Sequence, residues 1–573
     1  MRSSTSDDIP GGADGHAIPS PMTTLQPIVA AGAWVASSLC PVLTGAAKNW
    51  PQAMWAVKHY WQDLASGARE AVRSTDDAAE PETIGVECDD DRLKHAAWDS
   101  NAYFRLLRHA YLASGKFAGH LLDAAGLGAR ERERADFVLR LLLDALSPPN
   151  FLLGNPEALH QAASTGGASL LNGVGNLIED MVHNGARPRQ TDTSAFVLGE
   201  NLAATPGRVV YRNQVMELIQ YDAQTEDVYS IPLLFIPQWI NKYYIMDLAP
   251  GRSLIEWAVR QGHTVFAISF RNPGPELRDF GLVDYLRQGP LEALAAIEEI
   301  TQSPRTNIVG PCNGGTLALL VVAWLAAGRR ERVGCVTLLN TTADFADLGV
   351  LENFRDPALI DRLTRMVRDR GYLSGRHLGD LFDILRPNDR VWDHIARRWL
   401  LGEPPPVSDI LAWTEDCTNM AAALCNEFMD QVCLRNQLAL GELVLAGRQV
   451  DLTDVRQDVF VAAAIRDHLI PWESAYRTAG LLGGEVRFAL TSGGHVTGVI
   501  RPPGSKAFHH CGSADAATPE LWLAAAERRE KSWWESWSDW LAERAESRRT
   551  PPPVGSDLYP AAEPAPGRYV RQR

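Results

Sequence analysis

The chain has 573 residues, of which 46% are hydrophobic and 22% are charged, a composition typical of globular proteins with a large buried core. Its length predicts more than one domain. The formal net charge of −15 excludes general nucleic-acid binding, because the chain has no basic excess to neutralise phosphates.

The cysteines and the apolar segments indicate the cellular setting. Eight cysteines are scattered along the chain without a Cys-x-x-Cys pair, so neither a zinc site nor a disulfide framework is predicted. The apolar run Thr316–Ala327 is too short for a membrane span, which needs roughly 20 residues. Without a convincing signal peptide, we expect the protein in the reducing cytoplasm, with no transmembrane segment.

The N-terminal part of the chain is predicted to be helical. Residues 1–27 are rich in Ser, Asp, Gly and Pro and are expected to be disordered. In residues 28–192, apolar side chains recur at helical spacing, most clearly in Asp91–Gly126 and Glu131–Ala145. We therefore expect a helical N-terminal region, and no catalytic grouping is visible within it.

Residues 193–573 have the pattern of a catalytic domain of the α/β class. Short antiparallel strands are followed by apolar β-prone runs that alternate with helical segments, which predicts a parallel sheet covered on both faces. The predicted strands are Ala195–Leu198, Arg208–Tyr211, Met216–Tyr221, Pro232–Ile236, Thr264–Ser269, Asn307–Val309, Cys335–Leu339, Val459–Ala464 and Arg487–Leu490.

Two further segments belong to this domain. A mostly helical insertion lies at about 345–440. By analogy with the α/β-hydrolase fold, it is expected to form a cap over the active site that such a fold carries. Near the C-terminus, Trp533, Trp537 and Trp540 recur at helical spacing. This stripe either packs on the main domain or forms a surface that touches an apolar partner. The tail, about 548–573, is rich in Pro and Arg and is expected to be extended and poorly packed.

The segment Asn307–Thr316 contains a β-prone run and a Gly-x-Cys-x-Gly turn centred on Cys312, and a long apolar helical run follows. This is the strand–turn–helix context of a nucleophile elbow, with Cys in place of Ser. The N-terminal amides of the helix would point at the sulfur and favour the reactive thiolate. The motif alone is equally compatible with a buried structural cysteine at a tight turn.

A nucleophilic cysteine needs a base and an orienting carboxylate, and both follow later predicted strands. Asp467 comes just after Val459–Ala464, and His495 comes just after Arg487–Leu490. The order nucleophile, acid, histidine is that of the α/β-hydrolase fold. The alternatives are a turn or capping role for Asp467, an ordinary loop position for His495, and the adjacent His468 as the base.

Backbone N–H groups beside the attacked carbonyl would form an oxyanion hole. One donor is predicted at Asn313, the residue after the nucleophile. The second is predicted in the loop after Pro232–Ile236, from Trp239 or Ile240.

From about Asp91 to Val570 the chain resembles the polyhydroxyalkanoate (PHA) synthases. The resemblance is carried by sequence blocks on both sides of the predicted elbow. These blocks are Asp144–Phe151, Asn155–Glu157, Thr165–Ser169, Glu200–Gly207, Ile240–Leu248, Arg271–Pro273, Arg386–Asp389, Gly494–His495, Pro502–Pro503 and Pro564–Val570.

The resemblance implies a single-subunit synthase, of the class I or II kind, that polymerises (R)-3-hydroxyacyl-CoA into polyester with release of CoA. Carried over by position, Cys312, Asp467 and His495 correspond to the family's catalytic triad, with the growing chain held on the cysteine. The resemblance also implies a homodimer, no metal and no cofactor beyond the CoA thioester substrate. It places the protein in the cytoplasm at the surface of PHA granules, among granule-associated proteins.

Some positions depart from the family pattern. Pro311 stands where an aromatic or small residue is usual, and Asn313 where Val, Ala or Ser is usual. Phe270 stands where Trp is common. These departures bear on substrate preference and rate rather than on the class of reaction.

Two alternative functions stay open. One is a thioesterase or polyester depolymerase of the same fold, against which the cysteine nucleophile and the family blocks argue. The other is a non-catalytic granule-surface protein, against which the complete set of Cys312, Asp467 and His495 argues.

Overall fold

The computed structural model describes residues 21–72, 91–347 and 349–573. The chain divides into a first unit, Met1–Asp89 with Ala96–Leu146, and a second unit, Asp90–His95 with Ser147–Arg573. Residues 147–192, which the sequence analysis grouped with the helical N-terminal region, fall in the second unit. They belong to the second unit because their longest helix packs against the cap, as described below.

The described part of the first unit is helical, as predicted. Its helices are α1 (Pro21–Lys48), α2 (Trp50–Val72), α3 (Ala97–Ser100), α4 (Ala102–Ala125) and α5 (Ala129–Ala145). The side chain of Asn101 caps α4 by accepting from the Tyr103 amide, and the helix ends at Gly126, whose φ of 60° suits glycine. Apolar side chains of α1, α4 and α5, such as Val42, Leu122 and Ala135, form its core.

Only the last part of residues 1–27, which were predicted to be disordered, lies within the described residues. Residues 1–20 lie outside the described residues, while α1 already begins at Pro21. Proline suits the first turn of a helix, because the missing N–H has no partner there in any case. Helix α1 therefore overlaps the last residues of the segment predicted to be disordered.

The second unit is built on a ten-stranded sheet with the order β1-β2-β5-β4-β6-β7-β12-β13-β14-β15. The six central strands, β5 to β13 in that order, are parallel, and an antiparallel pair lies at each edge. The strands are β1 (Gly207–Arg212), β2 (Met216–Tyr221), β3 (Val228–Tyr229), β4 (Leu233–Phe235), β5 (Val265–Phe270), β6 (Thr306–Pro311), β7 (Val333–Leu339), β8 (Tyr372–Leu373), β9 (Met420–Ala421), β10 (Val444–Leu445), β11 (Arg448–Gln449), β12 (Asp458–Ala464), β13 (Val486–Thr491), β14 (His509–Ser513), β15 (Glu527–Arg529) and β16 (Arg548–Arg549).

Helices cover the sheet on both faces, and two large hydrophobic clusters lie between them. The helices are α6 (Pro156–Ser164), α7 (Ala168–His183), α8 (Leu254–Arg260), α9 (Leu282–Leu286), α10 (Glu292–Thr301), α11 (Asn313–Ala327), α12 (Pro357–Arg370), α13 (Gly375–Leu385), α14 (Asp393–Ile395), α15 (Asp409–Glu415), α16 (Ala422–Glu427), α17 (Trp472–Ala479), α18 (Pro519–Ala525) and α19 (Trp533–Ala542). The apolar α11 is buried on all sides, as expected for a helix without a polar face. In the part of the chain that the structure describes, no helix is long and apolar enough to cross a membrane.

This arrangement is the α/β-hydrolase fold, and the predicted fold class is confirmed. Of the predicted strands, only Ala195–Leu198 is wrong, because Thr193–Ala195 forms a 3-10 turn. The two edge strands β14 and β15 were missed, since their sequences are short and polar and lack the apolar alternation of a strand.

The predicted cap region is mostly helical and spans α12 to α16, with the small β8–β9 pair. It is joined to the loop after β5, where the Asn419 amide donates to Asn272 Oδ1 at 2.9 Å. The cap is therefore fixed to the carboxyl edge of the sheet, where α/β folds place their sites.

Helix α7 packs on the cap with its polar face inward. Asp180 is fully buried and accepts from Arg398 Nε at 2.7 Å and from Trp399 Nε1 at 2.8 Å. Apolar side chains such as Leu171 and Val182 are exposed instead, at 77% and 68%. An ion pair rather than apolar packing thus holds α7 to the cap.

The tryptophan stripe packs on the main domain, which is the first of the two predicted alternatives. Trp533, Trp537 and Trp540 are buried in one of the two core clusters. The indole N–H groups of Trp533 and Trp537 donate to the Gly498 carbonyl and to Thr337 Oγ1.

The C-terminal tail is extended but firmly packed, contrary to the prediction of poor packing. Residues 562–572, here called the C-terminal strap, run beside β1 and exchange backbone hydrogen bonds with it. The buried Glu217 carboxylate accepts from the backbone amides of Arg568 and Tyr569. At the end of the strap, Lys242 Nζ donates to the Gln572 carbonyl. Polar anchors that are distant in sequence hold this segment, and composition alone does not reveal them.

The α7–cap contact gives a stability prediction. Asp180→Ala removes the buried one of the two carboxylates that pair with the Arg398 guanidinium and leaves Glu179 as the other. Loss of one partner of a buried pair costs about 3 kcal/mol. We expect a clear drop in the thermal unfolding temperature. The matched control is Asp393→Ala, which removes the exposed Arg397–Asp393 pair of the same cap and should cost less than about 1 kcal/mol. Equal shifts for the two variants would contradict the structural role of the buried pair.

Candidate active site

Cys312 occupies the turn between β6 and α11, as the sequence predicted. Its φ of 51° and ψ of −128° place a non-glycine residue in a strained backbone region. The Cys312 amide donates to the Leu339 carbonyl at 2.8 Å, and the Thr341 hydroxyl donates to the Cys312 carbonyl at 3.1 Å. Contacts from the end of β7 therefore hold the strained residue in place, and the Cys312 side chain remains partly exposed.

The turn depends on glycines because three backbone segments meet there. A Cβ on Gly310 would lie 2.5 Å from Gly315 Cα, and a Cβ on Gly314 would lie 2.3 Å from the Ile236 carbonyl oxygen. Both distances are shorter than any Cβ contact allows. The elbow, the start of α11 and the end of β4 can thus pass one another only without side chains.

Asp467 and His495 meet at the ends of β12 and β13. Asp467 Oδ1 accepts from the amides of Leu469 and Ile470 at 2.9 and 3.0 Å, which fixes the carboxylate in a turn. Its Oδ2 lies 2.7 Å from His495 Nδ1. Because a carboxylate only accepts, Nδ1 is the protonated ring nitrogen and donates, which leaves Nε2 as the basic nitrogen.

Cys312 is also close enough to the His495 imidazole to raise its pKa. Burial lowers the pKa of His495, but the Asp467 carboxylate and Cys312 outweigh it, and the net pKa is raised well above the ordinary value. The structure thus brings the three predicted residues close together, with a hydrogen bond between the carboxylate and the imidazole and with the thiol nearby. Such an arrangement can deprotonate a nucleophile and stabilise the imidazolium that forms.

The neighbouring His468 does not make this contact. Asp467 directs its carboxylate to His495, and His468 Nδ1 is buried without a hydrogen-bond partner among the described residues. Burial, with Arg386 nearby, lowers the pKa of His468 to about 4. His468 is therefore a neutral side chain beside the candidate triad.

The predicted oxyanion donors differ in their availability. The Asn313 backbone N–H forms no hydrogen bond to another described residue, as is usual in the first turn of a helix. The Trp239 N–H, in contrast, already donates to Asn313 Oδ1 at 3.2 Å. The Ile240 N–H forms no hydrogen bond within the described chain, and Ile240 is partly exposed whereas Trp239 is buried.

The sequence analysis missed two supporting residues, Asn340 and Thr341. Asn340 has a φ of 44° and donates from Nδ2 to the His495 carbonyl, so it supports the histidine loop. Thr341 supports the elbow through the Cys312 carbonyl. Both directly follow β7 and so obey the strand-end rule that located Asp467 and His495. Asn and Thr are, however, too common in loops for that position alone to single them out.

No group of three or more His, Cys, Asp or Glu side chains suited to a metal ion is found in residues 21–72, 91–347 and 349–573.

The chain is similar in sequence to known poly(3-hydroxyalkanoate) polymerases. A family model described as the N-terminus of poly-beta-hydroxybutyrate polymerase (PhaC) matches residues 89–258. The chain is 40% identical to a poly(3-hydroxyalkanoate) polymerase of Methylorubrum extorquens, over 84% of this chain and 81% of the relative. It is 37% identical to the poly(3-hydroxyalkanoate) polymerase subunit PhaC of Cupriavidus necator, over 90% and 86%. It is 36% identical to poly(3-hydroxyalkanoate) polymerase 1 of Ectopseudomonas oleovorans, over 86% and 88%.

Solved structures that resemble the chain are more distant. They include a hydrolase from Pseudomonas aeruginosa, with 18% identity over 50% of this chain and 89% of that chain, and a TM-score of 0.28. A monoacylglycerol lipase from Paleococcus ferrophilus has 12% identity over 57% and 99%, and a TM-score of 0.31.

The glycine contacts at the elbow predict the effect of one added methyl group. Gly314→Ala places its Cβ against the Ile236 carbonyl, so the elbow must shift at a cost of about 1–3 kcal/mol. We expect a lower unfolding temperature and a strong loss of enzymatic activity. Gly175→Ala is the control, because nothing lies within 4 Å of its added Cβ on the exposed side of α7. That change should stabilise the helix by about 0.5–1 kcal/mol. A Gly314→Ala variant as stable and active as the control would refute the close packing.

Proposed function

Since the chain belongs to the family of poly(3-hydroxyalkanoate) polymerases, we propose that it polymerises (R)-3-hydroxyacyl-CoA into polyester and releases CoA, through an acyl group carried on Cys312. As a member of this family, the protein is an enzyme of the acyltransferase type. The observation that carries the mechanism is the hydrogen bond between Asp467 and His495, with the imidazole close enough to Cys312 at the elbow for that residue to raise its pKa.

In the first step, the acyl group moves from CoA to the enzyme. His495 Nε2 takes the thiol proton, and the Cys312 sulfur attacks the thioester carbonyl. The bond between the carbonyl carbon and the CoA sulfur breaks, and the CoA thiolate leaves with the proton from His495. Asp467 holds the ring orientation and stabilises the imidazolium formed in between.

The negative charge that develops on the carbonyl oxygen needs backbone donors. The free N–H of Asn313 and a donor from the loop after β4 serve this role. Because the Trp239 N–H is already engaged by the Asn313 side chain, Ile240 is the better candidate for the second donor.

In the second step, the 3-hydroxyl of a substrate or chain end attacks the acyl group on Cys312. His495 accepts the hydroxyl proton, the new ester bond forms, and the bond to the Cys312 sulfur breaks. Cysteine suits this step because thiol–thioester exchange is nearly balanced in energy, so the acyl-enzyme waits for a hydroxyl nucleophile. Water would give hydrolysis instead, so the cap that covers this edge of the sheet has the task of excluding it.

The same contacts could serve a thioesterase or depolymerase, which is the second candidate function. Family membership favours the polymerase. We extend the proposal to a synthase that needs no second kind of subunit and forms a homodimer. It would work at the surface of polyester granules, together with granule-associated proteins. Exposed aromatic side chains of α2, such as Trp50 at 66% and Trp61 at 64%, are compatible with contact to an apolar surface.

Substitution of the nucleophile tests the mechanism. Cys312→Ala should abolish both CoA release from 3-hydroxybutyryl-CoA and polymer formation, because no acyl carrier is left. Cys40→Ala, which removes an exposed cysteine of the first unit, should behave as wild type. CoA release is followed with a thiol reagent, and the product is separated into polymer and free acid. Unchanged CoA release by Cys312→Ala would contradict the proposal. Free 3-hydroxy acid as the sole product of the wild-type protein would favour the hydrolase.

The pKa of His495 predicts the pH dependence of the second step. The imidazole must be neutral to accept the hydroxyl proton, and Asp467 holds its pKa well above the ordinary value. The rate should therefore rise with pH through an apparent pKa above about 6.5. Asp467→Asn removes the raising charge and leaves burial, which lowers the pKa, so the rising limb should move to lower pH while the maximal rate falls. The measurement is steady-state CoA release against pH for both proteins, because each further turnover requires the second step to free Cys312. A rising limb that stays at the same pH in both proteins would contradict the assignment.

A further inference from the structure

The side chain of Asn313 links the elbow to the loop after β4. Asn313 is the first residue of α11 and is only 9% exposed. Its Oδ1 accepts the backbone N–H of Trp239 at 3.2 Å in a buried hydrogen bond. Its Nδ2 forms no hydrogen bond to any other described residue. One side chain thus joins the residue beside the nucleophile to the loop expected to supply the second oxyanion donor.

Trp239 is held both at its indole ring and at its backbone. Its indole ring packs edge-on against Phe428, with ring centroids 5.2 Å apart, and against Tyr285 at 6.4 Å. Its backbone is fixed by Asn313. Since the ring and the amide are both held, the peptide that follows Trp239, which carries the Ile240 N–H, has little freedom of its own.

The hydrogen bond between Asn313 and Trp239 also shows which backbone N–H groups near the nucleophile are available to bind an oxyanion. The Trp239 N–H has an acceptor, whereas the N–H groups of Ile240 and Asn313 have none among the described residues. Ile240 is the partly exposed member of the pair. An oxyanion needs donors that are unoccupied and already aimed before the substrate arrives.

We propose that the Asn313 carboxamide is a positioning residue that fixes the loop after β4, so that the Ile240 N–H, with the Asn313 N–H, faces the oxyanion. This inference rests on the proposed acyl transfer at Cys312. An apolar side chain at position 313 could not accept the Trp239 N–H, and that buried amide would then lack an acceptor or turn away. The carboxamide acts through the loop and does not itself touch the reacting atoms.

If the Asn313 carboxamide instead blocked the oxyanion hole, its removal would change the rate in the opposite direction. If the Trp239 N–H were the working donor, Asn313 Oδ1 would occupy the place of the oxyanion and would have to rotate away in each cycle. Removing the carboxamide would then raise the rate. In the positioning role, removing it misplaces the donor, and a displacement of about 1 Å costs on the order of 100-fold in rate.

The test compares Asn313→Leu, which has nearly the same shape but no acceptor, with Asn313→Asp, which keeps an acceptor oxygen at the same place. We expect kcat for CoA release to fall about ten- to a hundredfold in Asn313→Leu, with KM changed less than about threefold. Hydrogen exchange of the Trp239 amide, resolved by peptide fragmentation, should become faster in Asn313→Leu. It should stay as slow as in wild type in Asn313→Asp, even though the added charge lowers the rate of that variant.

Asn172→Leu, at an exposed position of α7, is the control and should alter neither measurement. If Asn313→Leu does not fold, as judged by thermal unfolding, Asn313→Ala replaces it in both measurements. A kcat that is unchanged or raised, or a Trp239 amide equally protected in all variants, would overturn the proposal. Failure of the proposed function would look different, because the wild type itself would then release no CoA, or would yield free 3-hydroxy acid instead of polymer, while the exchange results still stood.

Discussion

The backbone at Cys312 is the constraint on which the rest of the second unit depends. Holding a cysteine at a φ of 51° costs about 1–3 kcal/mol, and such strain persists only where the surroundings fix it. Leu339 and Thr341 at the end of β7 bind the Cys312 amide and carbonyl. The end of β4 packs against Gly314 so closely that no side chain fits. The parallel order of β4, β6 and β7 brings these segments together around the strained residue.

Much of this arrangement could be predicted from the sequence because it is encoded locally. The buried parallel strands are short apolar runs, and a residue just after such a run lies at the carboxyl edge of the sheet. That rule located Asp467 and His495 without knowledge of their contacts. The choice between Trp239 and Ile240 could not be made in this way, because it depends on a side-chain hydrogen bond between residues that are 74 positions apart.

The misjudged packing of α7 and of the C-terminal strap has a common physical cause, since each involves polar contacts between distant segments. Periodicity predicts that α7 is a helix, but it also predicts that the apolar face is buried. In the structure Asp180 is buried, while Leu171 and Val182 face outward. An ion pair to Arg398 overrides the pattern, and it joins residues 147–192 to the catalytic unit. The C-terminal strap was misjudged for the same reason, because its composition resembles that of an unpacked tail.

Glu217 has a consequence for the order of assembly. Its carboxylate is fully buried in β2, where it pairs with Arg212 and accepts hydrogen bonds from two amides of the strap that lie 351 and 352 residues further along the chain. During synthesis, β2 is therefore complete long before these amides exist. A buried charge with part of its partners missing is unfavourable, so this edge of the sheet has to stay hydrated until the strap arrives. Because the strap also binds Lys242, in the loop after β4, the same late event completes the support of the catalytic edge.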